Sequence, residues 1–156
     1  NFFKKYHNAN IVFDLPIYSF KNKKIKKKFS QKLFILSSWP RFSPQSCISL
    51  RRSYAKEIFK VSNIKKFKTI WFDFRIAIYT FIKFKKIIIL EKYLTYYRQN
   101  PNTVSKQYKT FSRNWWKRRS EAHDYFSYIS KKFKIKDPLS IDKLITKLFK
   151  NTFYIK

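Results

Sequence analysis

Apolar positions set the first expectations. Ile64, Phe67, Trp71, Phe74, Ile78 and Phe81 recur at steps of three and four, the period of one helix face. Phe72, Ile76, Tyr79 and Ile87 carry apolar character onto other sides, so a helix within 54–98 is expected to be buried on more than one face. The β-branched and aromatic content of this stretch also permits strands; helix is the favoured reading. A second helix is expected over 112–133, with Trp115, Ala122, Phe126, Ile129 and Phe133 toward the core. Between the two, 99–105 is a polar break around Pro101. Asp137-Pro138 punctuates the chain again. Ser140 is then a fair N-cap, Asp142 suits the first turn, and Ile141, Leu144, Ile145, Leu148 and Phe149 follow a helical pattern with Lys143, Lys147 and Lys150 opposite.

The first half is less periodic. Phe2, Phe3, Tyr6, Ile11, Val12 and Phe13 read as apolar anchors without a period. Lys21, Lys23, Lys24, Lys26, Lys27 and Lys28 then cluster around Ile25. Such a run stays solvated unless a partner neutralises it. Residues 1–30 are therefore expected to form a basic extended arm. Residues 31–53 read as loop or short strand, broken by Pro40 and Pro44, with Trp39 biased toward extended geometry by the proline after it.

Charge changes the picture. The chain has 156 residues, with 37 Lys plus Arg against 8 Asp plus Glu, a formal net charge of +29. A small domain ordinarily carries roughly 2 to 8. This excess repels itself and is relieved by a polyanion, whose condensed counterions are released on binding. A disordered basic tail would be poor in aromatics, whereas this chain is 44% hydrophobic and 21% aromatic. A folded protein with a cationic surface follows, one expected to be poorly ordered when alone. Gly and Met are absent, so Asn1 is expected not to be an initiator. The dominance of Lys, Phe, Ile, Tyr, Asn and Ser points to an AT-rich coding genome, with organellar DNA a natural source and an AT-rich nuclear genome the alternative.

Membrane crossing finds no support, since a spanning helix needs about 20 mostly apolar residues. The longest run without Lys, Arg, Asp or Glu, 42–50, is nine residues. The lone Cys47 excludes an internal disulfide.

The densest candidate for ligand contact is Arg113, Trp116, Lys117, Arg118 and Arg119, within 113–119. Guanidinium groups take phosphate in bidentate fashion, and aromatic rings stack on unpaired bases. Arg41, Arg51 and Arg52 form a second group, and Lys65, Lys66 and Lys68 beside Phe67 a third. Lys83, Lys85 and Lys86 beside Phe84 form a fourth. With Lys23, Lys24, Lys26, Lys27 and Lys28, cations appear in every quarter of the chain. A DNA-reading protein concentrates them on one element; a protein among rRNA helices meets phosphate on many sides.

Catalysis has little footing. His123 adjoins Asp124, but neighbours on a helix do not face one another. No Gly-rich phosphate loop exists without Gly, and one Cys with two distant His makes no zinc site. No enzyme activity, cofactor, metal or small-molecule substrate is expected.

Across its whole length the composition resembles that of mitochondrion-encoded ribosomal proteins of protists, ciliates especially. Locally, Asp137-Pro138 followed by 143–149 is similar to the opening helix of the small-subunit protein seven family. Trp39-Pro40-Arg41-Phe42-Ser43, with Phe67 and Phe74-Arg75, resembles the protein fourteen family, although that family's Gly- and Arg-rich stretch is absent. The resemblance implies a structural constituent of a mitochondrial ribosome, in the matrix, bound to rRNA and neighbouring ribosomal proteins, with a lean toward the small subunit. The alternatives are a nucleic-acid-binding factor outside the ribosome and a peripheral subunit of an inner-membrane respiratory complex. The expected fold is mostly α or α+β, a small helical core with an extended basic N-terminal arm (1–30) and one mostly helical RNA-binding domain (31–156).

Overall fold

The structure, a computed structural model, describes residues 2–20, 23–26, 39–62, 65–98, 107–137 and 139–154. It is an α+β domain. Its elements run α1 (Phe2–Lys5), β1 (Ile11–Phe20), β2 (Lys23–Lys26), a 3₁₀ turn (Gln45–Cys47), β3 (Ile48–Leu50), α2 (Arg52–Ser62), α3 (Phe72–Phe84), β4 (Ile89–Arg98), α4 (Arg113–Lys132) and α5 (Ile141–Tyr154).

β1 is the centre of a mixed sheet. It runs antiparallel to β3, from Ile11↔Leu50 to Phe13↔Ile48, and to β2, from Ile17↔Lys26 to Phe20↔Lys23. It runs parallel to β4, from Phe13↔Ile89 to Ser19↔Arg98. Phe13 pairs with both Ile48 and Ile89, and Ile17 with both Lys26 and Tyr96. β4 therefore holds one edge of β1, while β3 and β2 share the other. Pro16 sits in this central strand, where a residue without an N–H is tolerated only at an irregularity. The β1–β4 register shifts on both sides of Leu15, next to that proline.

This corrects the expectation of an arm for residues 11–20 and 23–26, while residues 1, 21–22 and 27–30 of the expected arm lie outside the described residues. Residues 11–17 are all buried. Successive strand residues point to opposite faces, so burial on both faces demands an apolar run without alternation, which is what made the segment look aperiodic.

A single helical face over 64–81 is also corrected. α2 ends at Ser62, Phe67 is buried in the connecting segment, and α3 begins at Phe72. Ile64 lies outside the described residues, as do 99–105 with Pro101, and Pro138. α3 buries Phe74, Ile76, Ala77, Ile78, Tyr79, Thr80 and Ile82, covering it on several sides as its all-round apolar character requires. From Ile89 the chain is strand, as the β-branched and aromatic residues there allow. The core joins Ile11 and Phe13 of β1 to Ile58 and Val61 of α2, to α3, and to Ala122, Tyr125, Phe126 and Ile129 of α4.

Both expected C-terminal helices are present. The Ser112 hydroxyl accepts from the Trp115 N–H at 3.2 Å and opens α4; the Ser140 hydroxyl accepts from the Lys143 N–H at 3.2 Å and opens α5. Lacking Gly, the chain uses Lys85, Phe111 and Lys134 where φ is positive, at 60°, 65° and 53°. Each costs about 1 kcal/mol of backbone strain, and Lys85 does so as the left-handed cap that ends α3.

Candidate nucleic-acid interface

The first turns of α4 gather five of the expected ligand-contacting residues, but not in one role. Arg113 and Lys117 are exposed. Trp116 is 6% exposed and stacks on Phe149 of α5, rings 4.4 Å apart and 11° from parallel. The expectation that Trp116 meets bases is therefore corrected: its ring is covered by α5. Trp115, half-buried, is the indole left nearer the surface.

Arg119 donates through Nε to Asp142 Oδ1 at 2.5 Å, with Nη2 on the same oxygen. The other carboxylate oxygen faces His123 Nε2 at 3.1 Å. Burial pushes the Asp142 carboxyl up, but His123 and Arg119 outweigh it and hold the group below its ordinary range. The Arg119 guanidinium also lies 4.8 Å from the Trp115 ring and 5.5 Å from that of Trp39. Trp39 is itself set by Phe74, edge-on at 5.2 Å, and by His123 at 4.6 Å.

Arg118 is held differently. Its guanidinium carbon lies 3.3 Å from the Trp71 ring centroid and 4.9 Å from that of Tyr108. Burial lowers its pKa, opposed by the charge of Asp73. Burial also holds the Asp73 carboxyl above its ordinary value. Between Arg118 and Arg119 opens a cavity of about 260 Å³, lined by Trp39, Phe42, Phe74 and Trp115 among others.

The remaining expected residues divide. Lys65, Lys66 and Lys68 are exposed on the segment before α3, which is held to α4 by the Thr69 N–H donating to Glu121 at 2.8 Å. Arg41 and Arg52 are exposed. Arg51 has a structural task instead. Its side chain donates to the carbonyls of Ala9 at 2.8 Å and Phe3 at 2.7 Å, with Tyr6 and His7 near, clipping the N-terminal turn to the start of α2. Its expected place among phosphate contacts is corrected on that ground. Lys83 pairs with Glu57 at 2.6 Å, while Lys85 and Lys86 are exposed. Lys27 and Lys28 lie outside the described residues.

Lys23, Lys24 and Lys26 are exposed on β2, and the sheet brings them to residues that sequence reasoning missed. Lys24 lies 5.4 Å from the Tyr96 ring and Lys26 lies 5.3 Å from that of Tyr93. Tyr96 is 65% exposed. A cation beside an exposed ring is the pairing that stacks a base and holds its phosphate. The tyrosine-rich stretch Tyr93, Tyr96 and Tyr97 was the available signal, masked by the helical reading of 54–98.

Cys47 is buried between Asp14 and Thr95, and burial, with the Asp14 charge next, pushes its thiol up to about 11, which leaves it protonated and unreactive. Among the described residues, no three His, Cys, Asp or Glu side chains gather as a metal site, and no helix is long and apolar enough to cross a membrane. Comparison of the chain with known families, with curated proteins and with solved structures finds no match.

Proposed function

We propose that the chain is a structural constituent of a mitochondrial ribosome, bound to rRNA and neighbouring ribosomal proteins, with the small subunit favoured and no catalytic role. One observation carries the RNA-binding part: most of the eight carboxylates are drawn inward or already engaged, Glu91 and Asp124 being the exposed ones, while many more cations are left outside. Asp14 and Asp142 are buried, Glu57 holds Lys83, Asp137 holds Lys143, and Glu121 accepts from the Thr69 N–H. Exposed cations meanwhile stand on β2 (Lys23, Lys24, Lys26), on α2 (Arg52, Lys56, Lys60), before α3 (Lys65, Lys66, Lys68), after it (Lys85, Lys86) and on α4 (Arg113, Lys117, Lys131, Lys132). Such a surface has no single reading element. It fits phosphate arriving from several directions, as in a folded rRNA. The assignment to a mitochondrial ribosome rests on the compositional resemblance.

The test is binding of the full chain to purified rRNA across a salt series. Affinity should fall steeply and linearly on logarithmic axes. Replacing Lys65, Lys66 and Lys68 together by Gln should flatten the slope by roughly 2 to 3, at about 0.7 to 0.9 for each phosphate no longer neutralised. A salt-independent affinity, or an unchanged slope in the triple variant, counts against the reading.

A further inference from the structure

The cavity beside α4 is too small for most ligands and well made for one. Its volume of about 260 Å³ falls below the roughly 300–1,000 Å³ of ordinary small-molecule sites. Its walls are flat rings, Trp39, Trp115, Phe42 and Phe74, set between the guanidinium groups of Arg118 and Arg119. Flat apolar walls favour a flat ring system. The polar side chains on those walls, Arg118, Arg119 and the two indoles, are donors only, because a guanidinium and an indole N–H accept nothing.

The two arginines are not equivalent. Arg119 has its Nε and Nη2 engaged by Asp142. Arg118 is half-buried and held against Trp71 and Tyr108, with the charge of Asp73 acting on it. A guanidinium fixed in orientation on a cavity wall selects a ligand edge with adjacent acceptors. Among the bases, the N7/O6 edge of guanine has that pattern, whereas the same edge of adenine presents an amino group.

We propose that this cavity takes one unstacked guanine of RNA. Its ring lies among Trp39, Trp115 and Phe42, its N7 and O6 accept from Arg118, and its flanking phosphates meet the exposed Arg113 and Lys117 on the same turns of α4. This rests on the RNA-binding reading and goes further, because diffuse phosphate contact selects neither an unpaired nucleotide nor a base.

The experiment measures fluorescence anisotropy of the full chain with three RNA hairpins, identical except for one bulged guanine, one bulged adenine, or none. The bulged-guanine hairpin should bind about tenfold tighter than the paired one, within the roughly five- to hundredfold that base–aromatic stacking gives, and several-fold tighter than bulged adenine. Trp115→Leu should bring the bulged-to-paired ratio close to one. Arg118→Gln should erase the guanine-over-adenine ratio, and so should Arg118→Lys, which keeps the charge but loses the fork and separates recognition from folding. Equal binding of all three hairpins by the unaltered chain overturns the cavity assignment while leaving RNA binding in place. No binding to any hairpin at low salt overturns the RNA reading and this proposal with it.

Discussion

α4 and α5 are written in the same way and packed in opposite ways. Each opens on a Ser cap, and each carries apolar residues at helical spacing with lysines across from them. α4 turns its apolar face inward: Ala122, Tyr125, Phe126 and Ile129 join the core. α5 turns its polar side inward. Asp142 and Thr146 are buried, while Ile141, Leu144 and Ile145 are exposed, Leu148 is 68% exposed and Leu139, just ahead of the helix, 83%. Directed contacts account for the rotation. Arg119 and His123 hold Asp142, Lys143 is held by Asp137, Lys150 lies 3.8 Å from Asp124, and Trp116 stacks on Phe149. A hydrophobic pattern says that a helix has two faces; it does not say which face its own chain will cover. Where buried charges have only one way to be paired, they set the rotation, because leaving them unpaired costs more than leaving leucines in water.

The contrast is best broken from the α4 side, with folding followed in about 0.5 M salt, where the charge repulsion is screened. Ile129 is fully buried at 0% exposure. Ile129→Ala should lower unfolding stability in denaturant by about 3 kcal/mol. Asp142→Asn should cost less, about 2 kcal/mol, by leaving Arg119 and His123 poorly paired. It should also loosen α5, read as a red shift in tryptophan emission when Trp116 loses the cover of Phe149. If Asp142→Asn changes neither stability nor emission, the polar contacts do not set the rotation of α5.

Acid offers a gentler version of the same test. The native Asp142 carboxyl lies below its ordinary value of 3.8. Its stabilisation is therefore fully present above that pH and is lost as pH falls through the native value. Asp14 and Asp73, raised by burial, act with the opposite sign, so the diagnostic quantity is the difference between the unaltered chain and Asp142→Asn. That difference should shrink as pH drops from about 5 to about 3. The smallest effect is expected on the exposed stripe: Leu148→Ala should change stability by less than about 0.5 kcal/mol. A loss near that of Ile129→Ala would mean that α5 packs the other way round.

Sequence made these same two helices legible, with Ser140 already the expected cap of α5, because local signals define where a helix begins. It misread β1 because a strand covered on both faces has no alternation to detect, and its lysine-rich continuation drew the whole segment toward an arm. It merged α2, α3 and β4 because aromatic and β-branched residues at 64–98 satisfy both periods. In the candidate interface the exposed cations were legible from charge alone. The inward turns of Arg51 and Trp116 were not, since each depends on partners far away in sequence: Ala9 and Phe3 for one, Phe149 for the other. The pairing of Tyr93 and Tyr96 with the β2 lysines likewise needs the sheet to exist.

The most direct test of the ribosomal assignment is sedimentation of an organelle lysate through a sucrose gradient at several hundred millimolar salt (roughly where loose electrostatic binders detach), with the chain followed by mass spectrometry. Co-migration with one ribosomal subunit, the small one by preference, is the expected result. Recovery in the top fractions, or only with detergent-solubilised membrane complexes, would contradict the assignment.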